Sequence, residues 1–97
     1  MNYNLIYCAE ANNNESIIFD NLNKEDSYIL KLRDIDSDSL QIKSDDGFEI
    51  ILGIMSFYYT CNPVSFSKTE KIIIRDPRGN LKSGVIRLFK IIKQYDK

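Results

Sequence analysis

The chain has 97 residues, 43% of them hydrophobic and 28% charged, and a formal net charge of −1. A chain of this length supports one hydrophobic core, and this balance is too apolar for disorder, so we expect a single domain over residues 1–97. No apolar run approaches the roughly 20 residues of a membrane-spanning helix. The first residues carry no basic group and no long apolar stretch, which argues against an export signal, so we expect a cytoplasmic protein.

Four segments in the first half of the chain have the composition and alternation of β-strands. They are residues 3–9, 16–20, 28–33 and 40–43. The pattern is clearest in the third segment, where Tyr28, Leu30 and Leu32 share one face. Lys31 and Arg33 occupy the other face, which indicates a strand with one side buried and one side in solvent.

The acidic turn from Asp34 to Asp38 separates the third and fourth segments, which we therefore expect to pair as a hairpin. Its alternating carboxylates also resemble the start of a calcium-binding loop. Such a loop needs glycine at its sixth position and glutamate at its twelfth, and these positions hold Ser39 and Asp45. The pattern therefore favours a solvated turn over a calcium site.

Residues 46–60 carry conflicting signals. Their isoleucine, phenylalanine and tyrosine residues favour a strand. The polar or small positions, however, follow the period of a helix, with spacings of four, three and four: Glu49, Gly53, Ser56 and Thr60. The periodicity predicts a helix that is apolar nearly all round and hence buried.

The remaining segments complete an α+β fold. Residues 71–75 predict a β-branched strand, and Asp76 to Gly79 predict a turn. The segment that begins at Ser83 has a broad apolar face opposite a basic one, which predicts an amphipathic C-terminal helix. We expect an antiparallel sheet of about five strands with one buried helix and this C-terminal helix, in the order ββββαβα.

If residues 48–60 form strands instead, the chain has about seven strands followed by a C-terminal amphipathic helix. That order resembles the pleckstrin-homology superfold, and the resemblance implies a mostly β domain with a C-terminal helix. Element order alone carries it, because the last segment holds no tryptophan and the first hairpin holds no basic cluster. The resemblance therefore implies no lipid-binding residues.

The inventory of reactive residues is small. The chain contains no histidine, and Cys8 and Cys61 form no CxxC pair, which excludes a Cys/His zinc site or nucleophilic pair. Both cysteines are most simply small buried hydrophobes, although their even number also permits a disulfide. We expect no cofactor, no metal ion and no catalytic residue. The enzyme alternative is a metal-dependent nuclease built on Asp20, Gln41 and Lys43.

Charge is distributed unevenly along the chain. Residues 1–67 hold four Lys/Arg and eleven Asp/Glu, a net charge of −7, whereas residues 68–97 hold nine and three, a net charge of +6. Separated patches of opposite sign steer and orient a charged partner. We therefore expect a non-enzymatic protein-binding module, an inhibitor of the toxin-immunity or phage anti-defence type, that occludes a basic partner. The acidic residues are Asp34, Asp36, Asp38, Asp45 and Asp46.

The alternative function uses the basic end of the chain to contact lipid or nucleic acid. Its residues are Arg75, Arg78, Lys82, Arg87, Lys90 and Lys93. Such contacts are less favoured than a protein partner because the sequence pI is about 5.3. An exposed edge strand in so small a sheet also favours a homodimer.

Overall fold

The computed structural model describes residues 2–12, 15–45, 47, 49–52, 55–59 and 63–92. Within these ranges the secondary structure is entirely β, with nine strands in two antiparallel sheets. The strands are β1 (Asn2–Asn12), β2 (Ile17–Phe19), β3 (Ser27–Ser37), β4 (Leu40–Ser44), β5 (Glu49–Leu52), β6 (Met55–Tyr59), β7 (Val64–Ser67), β8 (Ile72–Arg75) and β9 (Ser83–Ile92).

The larger sheet has five strands, and its order runs β1, β9, β3 and then β6 and β7. β6 and β7 lie one after the other along the same edge of β3, since β7 pairs with its first residues and β6 with its last. The smaller sheet has four strands in the order β2, β8, β4, β5. β9, which comes late in the sequence, is thus a central strand between β1 and β3.

The hydrophobic core lies between the two sheets. It is a single cluster of buried side chains drawn from both sheets and from the loops next to them. Its fully buried members are Leu30, Leu32, Ile35, Leu40, Ile42, Ile72, Ile74, Leu81, Ile86 and Leu88. Alternate residues of β3, β8 and β9 face this layer, so the residues between them face the opposite side of their sheet.

Five strand predictions are confirmed, at residues 3–9, 16–20, 28–33, 40–43 and 71–75. The predicted alternation also holds in β3, where Tyr28, Leu30 and Leu32 are buried. Asp34 then adopts a positive φ of 56°, and the register with β9 shifts between Arg33 and Asp36. This bulge reverses the alternation, so that Ile35 and Ser37 point inward as well.

The buried helix predicted over residues 46–60 is wrong, because this region contains β5 and β6. β5 pairs with β4, with Ile50 opposite Ile42 and Ile51 opposite Gln41. β-Branched side chains fit a pleated sheet better than a helix, and here that preference prevails over the spacing of the polar residues. Gly53 and Thr60, two of the residues that defined the helical period, lie outside the described residues.

The predicted C-terminal amphipathic helix is also wrong. Residues 83–92 form β9, which buries Ile86 and Leu88 and leaves Val85, Arg87 and Phe89 half-buried on the opposite face. A strand with apolar residues on both faces has nearly the same composition as a helix with a wide apolar face. The pleckstrin-homology-like alternative needs the same helix and is corrected with it. Residues 93–97, which complete the predicted helix, lie outside the described part.

The predicted hairpin between β3 and β4 is wrong as well, because the two strands belong to different sheets. The chain crosses between sheets at Asp38 and Ser39, and the buried carboxylate of Asp76 holds this corner.

Asp76 Oδ2 accepts hydrogen bonds from Ser37 Oγ at 2.8 Å and from the backbone N of Asp38 and of Ser39, both at 3.1 Å. Asp76 Oδ1 accepts one from Arg78 N at 2.7 Å. Burial alone raises the pKa of Asp76, but these hydrogen bonds outweigh it and hold the pKa below its usual value.

Candidate functional site: a basic and aromatic sheet face

The solvent side of the five-stranded sheet follows from its register. Directly opposite residues in antiparallel strands share a face. Because Ile86 and Leu88 face the core, Arg87 and Phe89 face outward together with their partners on β3 and β1. Tyr3 of β1, opposite Ile91 of β9, lies on the same side. We call this set the outer face: Tyr3, Leu5, Cys8, Ile29, Lys31, Arg87 and Phe89.

Aromatic rings and cations are in contact on the outer face. The rings of Tyr3 and Phe89 meet edge to face, with their centroids 5.1 Å apart. Lys31 Nζ donates a hydrogen bond to Tyr3 OH at 2.7 Å and lies 5.0 Å from the centroid of the Phe89 ring. The guanidinium carbon of Arg87 lies 5.7 Å from the same centroid. Two cations thus flank one aromatic ring, which is an arrangement that cation–π attraction stabilises.

The two cations of this face have no carboxylate partner among the described residues. Lys31 and Arg87 are directly opposite each other on β3 and β9. The ion pairs of the described residues lie elsewhere: Lys24 with Glu70, Arg33 with Asp34, and Lys90 with Asp26. Arg87 Nε is buried and has no hydrogen-bond partner within the described part of the chain. The outer face is therefore a patch of uncompensated positive charge beside exposed apolar side chains.

The predicted acidic set divides between two ends of the fold. Asp34 and Asp36 lie in β3 and Asp38 at the corner that follows it, whereas Asp45 follows the far end of β4. β4 is five residues long, which separates the corner from Asp45 by about 17 Å at 3.4 Å per residue. Asp46 lies outside the described residues.

Asp45 takes part in the fold itself. Its Oδ1 accepts hydrogen bonds from Thr69 Oγ1 at 2.6 Å, Glu70 N at 3.0 Å and Lys71 N at 3.2 Å. These bonds, that from Thr69 foremost, lower the pKa of Asp45 and outweigh a small opposing effect of burial. The carboxylate thereby fixes the loop that precedes β8.

The predicted basic set is dispersed. Arg75 donates from Nε to Gln41 Oε1 at 2.7 Å on the smaller sheet, and Lys82 N donates to Asp36 O at 2.9 Å. Arg78 lies in the exposed turn after β8, beside the corner that carries Asp38. Lys90 faces away from the outer face and pairs with Asp26 at 3.3 Å. Lys93 lies outside the described residues.

Charges that are separated along the chain are therefore mixed at the corner between β3 and β4. Arg75, Arg78 and Lys82 lie at the same end of the fold as Asp36 and Asp38. Among the described members of the basic set, Arg87 alone joins the outer face, where it is opposite Lys31 of the acidic half of the sequence. The sequence pattern predicts Lys31 in solvent but assigns it to no site, and it predicts Phe89 on the core face of a helix.

Two residues of the nuclease alternative, Asp20 and Gln41, lie at opposite ends of β8, and Lys43 lies between them on β4, opposite Ile73. Asp20 lines an open groove of about 480 Å³ with Asp45, Glu70 and Lys71, next to the start of β8. Gln41 is paired with Arg75 at the other end of β8. Among the described residues, no group of three His, Cys, Asp or Glu side chains is placed to hold a metal ion.

Cys8 is exposed and carries a free thiol, which corrects the expectation that it is buried. It faces outward from β1 opposite Arg87. Cys61 lies outside the described residues.

Comparison of the chain with known protein families, with curated proteins and with solved structures finds no match. No helix in the described ranges is long and apolar enough to span a membrane.

Proposed function

We propose that this protein is a non-enzymatic binding module, active in the cytoplasm, that occludes an acidic protein partner with the outer face of its five-stranded sheet. The observation that carries the proposal is the direct pairing of Lys31 and Arg87 beside Tyr3 and Phe89. Tyrosine and arginine are enriched among residues that dominate protein interfaces. A carboxylate of a partner would relieve the repulsion between the two cations and pair with the guanidinium of Arg87.

A protein partner fits this surface better than a long polyanion does. The whole chain carries a net charge of −1, and acidic residues surround the patch, with Glu10 on β1 and Asp34 at the bulge of β3. A long polyanion would be repelled by these acidic residues wherever it extends beyond the patch. A compact acidic site on a protein would contact the positive patch alone.

The proposal can be tested by following the backbone amide signals of the protein by NMR during titration with a synthetic peptide rich in glutamate and leucine. We expect shifts that saturate and cluster in β1, β3 and β9. The double variant Lys31→Glu with Arg87→Glu should bind at least about tenfold more weakly, because both attractive charges become repulsive.

Arg78→Glu with Lys82→Glu is the matched control, since it changes the net charge by the same amount at two exposed residues outside the outer face. This control should retain most of the affinity, because it changes only charges that lie far from the outer face and are screened by salt. Equal losses in the two double variants, or shifts centred on Asp34 to Asp38, would contradict the proposed site.

A second candidate is binding of single-stranded nucleic acid, which the contact of Tyr3 and Phe89 with two cations favours. Bases stack on exposed aromatic rings while cations hold the phosphates. Titration with oligothymidylate distinguishes it from the first candidate. Saturable binding that weakens steeply with salt and is lost in Tyr3→Ala would favour this candidate over an acidic protein.

A further inference from the structure

β1 has the longest free edge in the described part of the chain. It has 11 residues, and within that part it pairs with β9 alone. The edge strands of the smaller sheet, β2 and β5, are three and four residues long. A long edge offers another chain a row of unpaired backbone groups, whereas a short edge offers few. β1 also contains no lysine and no proline, so little protects this edge from pairing.

The regular part of this edge runs from Tyr7 to Asn12. The register with β9 shifts between Leu5 and Tyr7, and beyond the shift each residue of β1 is directly opposite one residue of β9. A further strand can therefore pair with this segment without a break in register. The larger sheet is antiparallel at every described pairing, and antiparallel pairing is slightly more stable per residue than parallel pairing.

The outward side of this segment meets charges of opposite sign. Cys8 is opposite Arg87, which is in turn opposite Lys31 on β3. Glu10, two residues further along β1, lies on the same side, opposite Val85. A strand added to the edge would lie about 10 Å from β9, because neighbouring strands are about 4.8 Å apart. The side chain of Cys8 is short, so a glutamate placed opposite it would extend over the thiol toward the guanidinium of Arg87.

The other side of the segment is apolar and partly open. Ala9 is partly buried against the core, and Ala11 is buried. Tyr7 is 42% exposed, and its ring stacks on that of Phe19 of β2 with the centroids 5.4 Å apart. Apolar side chains of an added strand would lie opposite Ala9 and Tyr7, where they would extend the core layer and cover the exposed ring.

We propose that the acidic site of the partner is an extended segment that pairs antiparallel with residues 7–12 of β1 and adds a strand to the larger sheet. The segment reads lysine, apolar residue, glutamate, apolar residue, with its lysine opposite Glu10 and its glutamate opposite Cys8, toward Arg87. Charge complementarity favours such a partner over a second copy of this chain, because β1 itself has no cation to place opposite Glu10. The inference rests on the proposed function, since it specifies the part of the partner that the outer face binds.

The first test compares two peptides with blocked ends and the same composition, Thr-Val-Lys-Val-Glu-Val-Thr and Thr-Val-Glu-Val-Lys-Val-Thr. In the proposed register the first peptide forms two attractive charge pairs and the second forms two repulsive ones. We expect the first to bind at least about fivefold more tightly in NMR titrations. Equal affinities, or the opposite preference, would overturn the proposal.

The second test reads the register through a change of charge on β1. Glu10→Lys should weaken binding of the first peptide and strengthen binding of Thr-Val-Glu-Val-Glu-Val-Thr, in which glutamate replaces the lysine. Glu15→Lys is the matched control, because Glu15 is exposed and lies beyond the end of β1. It should leave the preference for the first peptide unchanged. Equal effects of the two substitutions would show that net charge governs binding, and would refute the proposed register.

Hydrogen exchange separates this inference from the proposed function. In the wild type saturated with the first peptide, alternate backbone amides of residues 7–12 should exchange more slowly. Shifts at Lys31 and Arg87 without such protection would refute the added strand and leave binding at the outer face intact. If neither this peptide nor the peptide rich in glutamate and leucine binds, the proposed function fails as well. Protection of the same amides without peptide, together with a dimer in sedimentation, would place a second copy on this edge and would also overturn the proposal.

Discussion

Lys31 and Arg87 face each other across adjacent central strands, on the side of the five-stranded sheet that is open to solvent. Like charges in directly opposite positions reduce the stability of a sheet. Neither cation forms an ion pair with a carboxylate among the described residues. Their mutual repulsion opposes the cation–π attraction to Phe89, and it occurs where the proposed binding surface uses positive charge, which is the pattern expected of a functional site.

Arg87→Glu separates the effect of this charge pair on the stability of the fold from its effect on binding. The substitution converts a repulsive cross-strand pair into an attractive one, so we expect the free energy of unfolding to stay the same or rise by up to about 1 kcal/mol. Binding of an acidic partner should be lost in the same variant. Denaturant unfolding and the peptide titration provide the two measurements. A loss of stability above about 1 kcal/mol would instead show that Arg87 supports the fold through its contact with Phe89.

Asp76→Asn should weaken the corner that carries the chain from one sheet to the other. The carboxylate accepts hydrogen bonds from Ser37, Asp38, Ser39 and Arg78. An amide has one acceptor oxygen, and its NH₂ group would face donors, so buried groups would lose their partners. We expect a loss of about 2–4 kcal/mol in the free energy of unfolding, measured with denaturant.

Asp20→Asn is the control for this change. Asp20 is exposed, and its carboxylate accepts a hydrogen bond from the adjacent Asn21 at 3.3 Å. This substitution should change the stability by no more than about 0.5 kcal/mol. A similar small effect of Asp76→Asn would show that the corner holds without the buried charge.

Stability should depend on pH through two carboxylates. The pKa of Asp76 and that of Asp45 are both lower in the folded protein than the unperturbed value of 3.8. A carboxylate with a lowered folded-state pKa stabilises the fold fully above its unfolded pKa. That contribution is lost as the pH falls below about 4 and through the folded-state pKa.

The measurement is the free energy of unfolding between neutral pH and about pH 2, with Asp76→Asn for comparison. We expect a plateau in the wild type from neutral pH down to about pH 5, followed by a decline. The variant should decline less steeply, so the two curves should converge in acid. Curves that remain parallel throughout would show that Asp76 does not titrate with unfolding.

The strand that is clearest in the sequence is one with a single apolar face. In β3 the alternation of Tyr28, Leu30 and Leu32 with Lys31 and Arg33 is regular, and the strand prediction is confirmed. β9 has no such contrast, because Phe89 and Val85 are apolar on the side that faces solvent. Its sequence pattern is therefore the same as that of a helix with a wide apolar face. The apolar residues that misled the prediction belong to the candidate binding face.

The candidate site itself could not be read from local patterns. Tyr3 and Phe89 are separated by most of the chain, and they meet because β1 pairs with β9. The repulsive pair of Lys31 and Arg87 likewise depends on the pairing of β3 with β9. One sequence without long-range pairing information shows which residues face solvent, but not which of them are neighbours. The same limit explains why β3 and β4 were assigned to one hairpin although they belong to two sheets.

Gly84→Ala should be one of the most destabilising single methyl additions in this chain. Gly84 has a φ of 150°, and a Cβ there would overlap Cδ1 of buried Ile35 and lie 3.2 Å from its Cα. The backbone of Ile35 cannot retreat without disturbing the bulge of β3, so we expect a loss of about 2–4 kcal/mol. Gly79→Ala is the matched control, because its φ of 74° is also unfavourable for alanine while nothing lies within 4 Å of the added carbon.

The control should lose about 1–2 kcal/mol, which is the cost of the backbone conformation alone. The difference between the two alanine variants then contains the overlap with Ile35 together with the difference in cost between the two backbone conformations. Ile35→Val in the Gly84→Ala background removes the overlapping Cδ1, so it should recover part of the loss, although Ile35→Val alone costs about 1 kcal/mol. Strict additivity of the two substitutions would mean that the close approach of Gly84 to Ile35 does not limit stability, and that the backbone angle accounts for the whole effect.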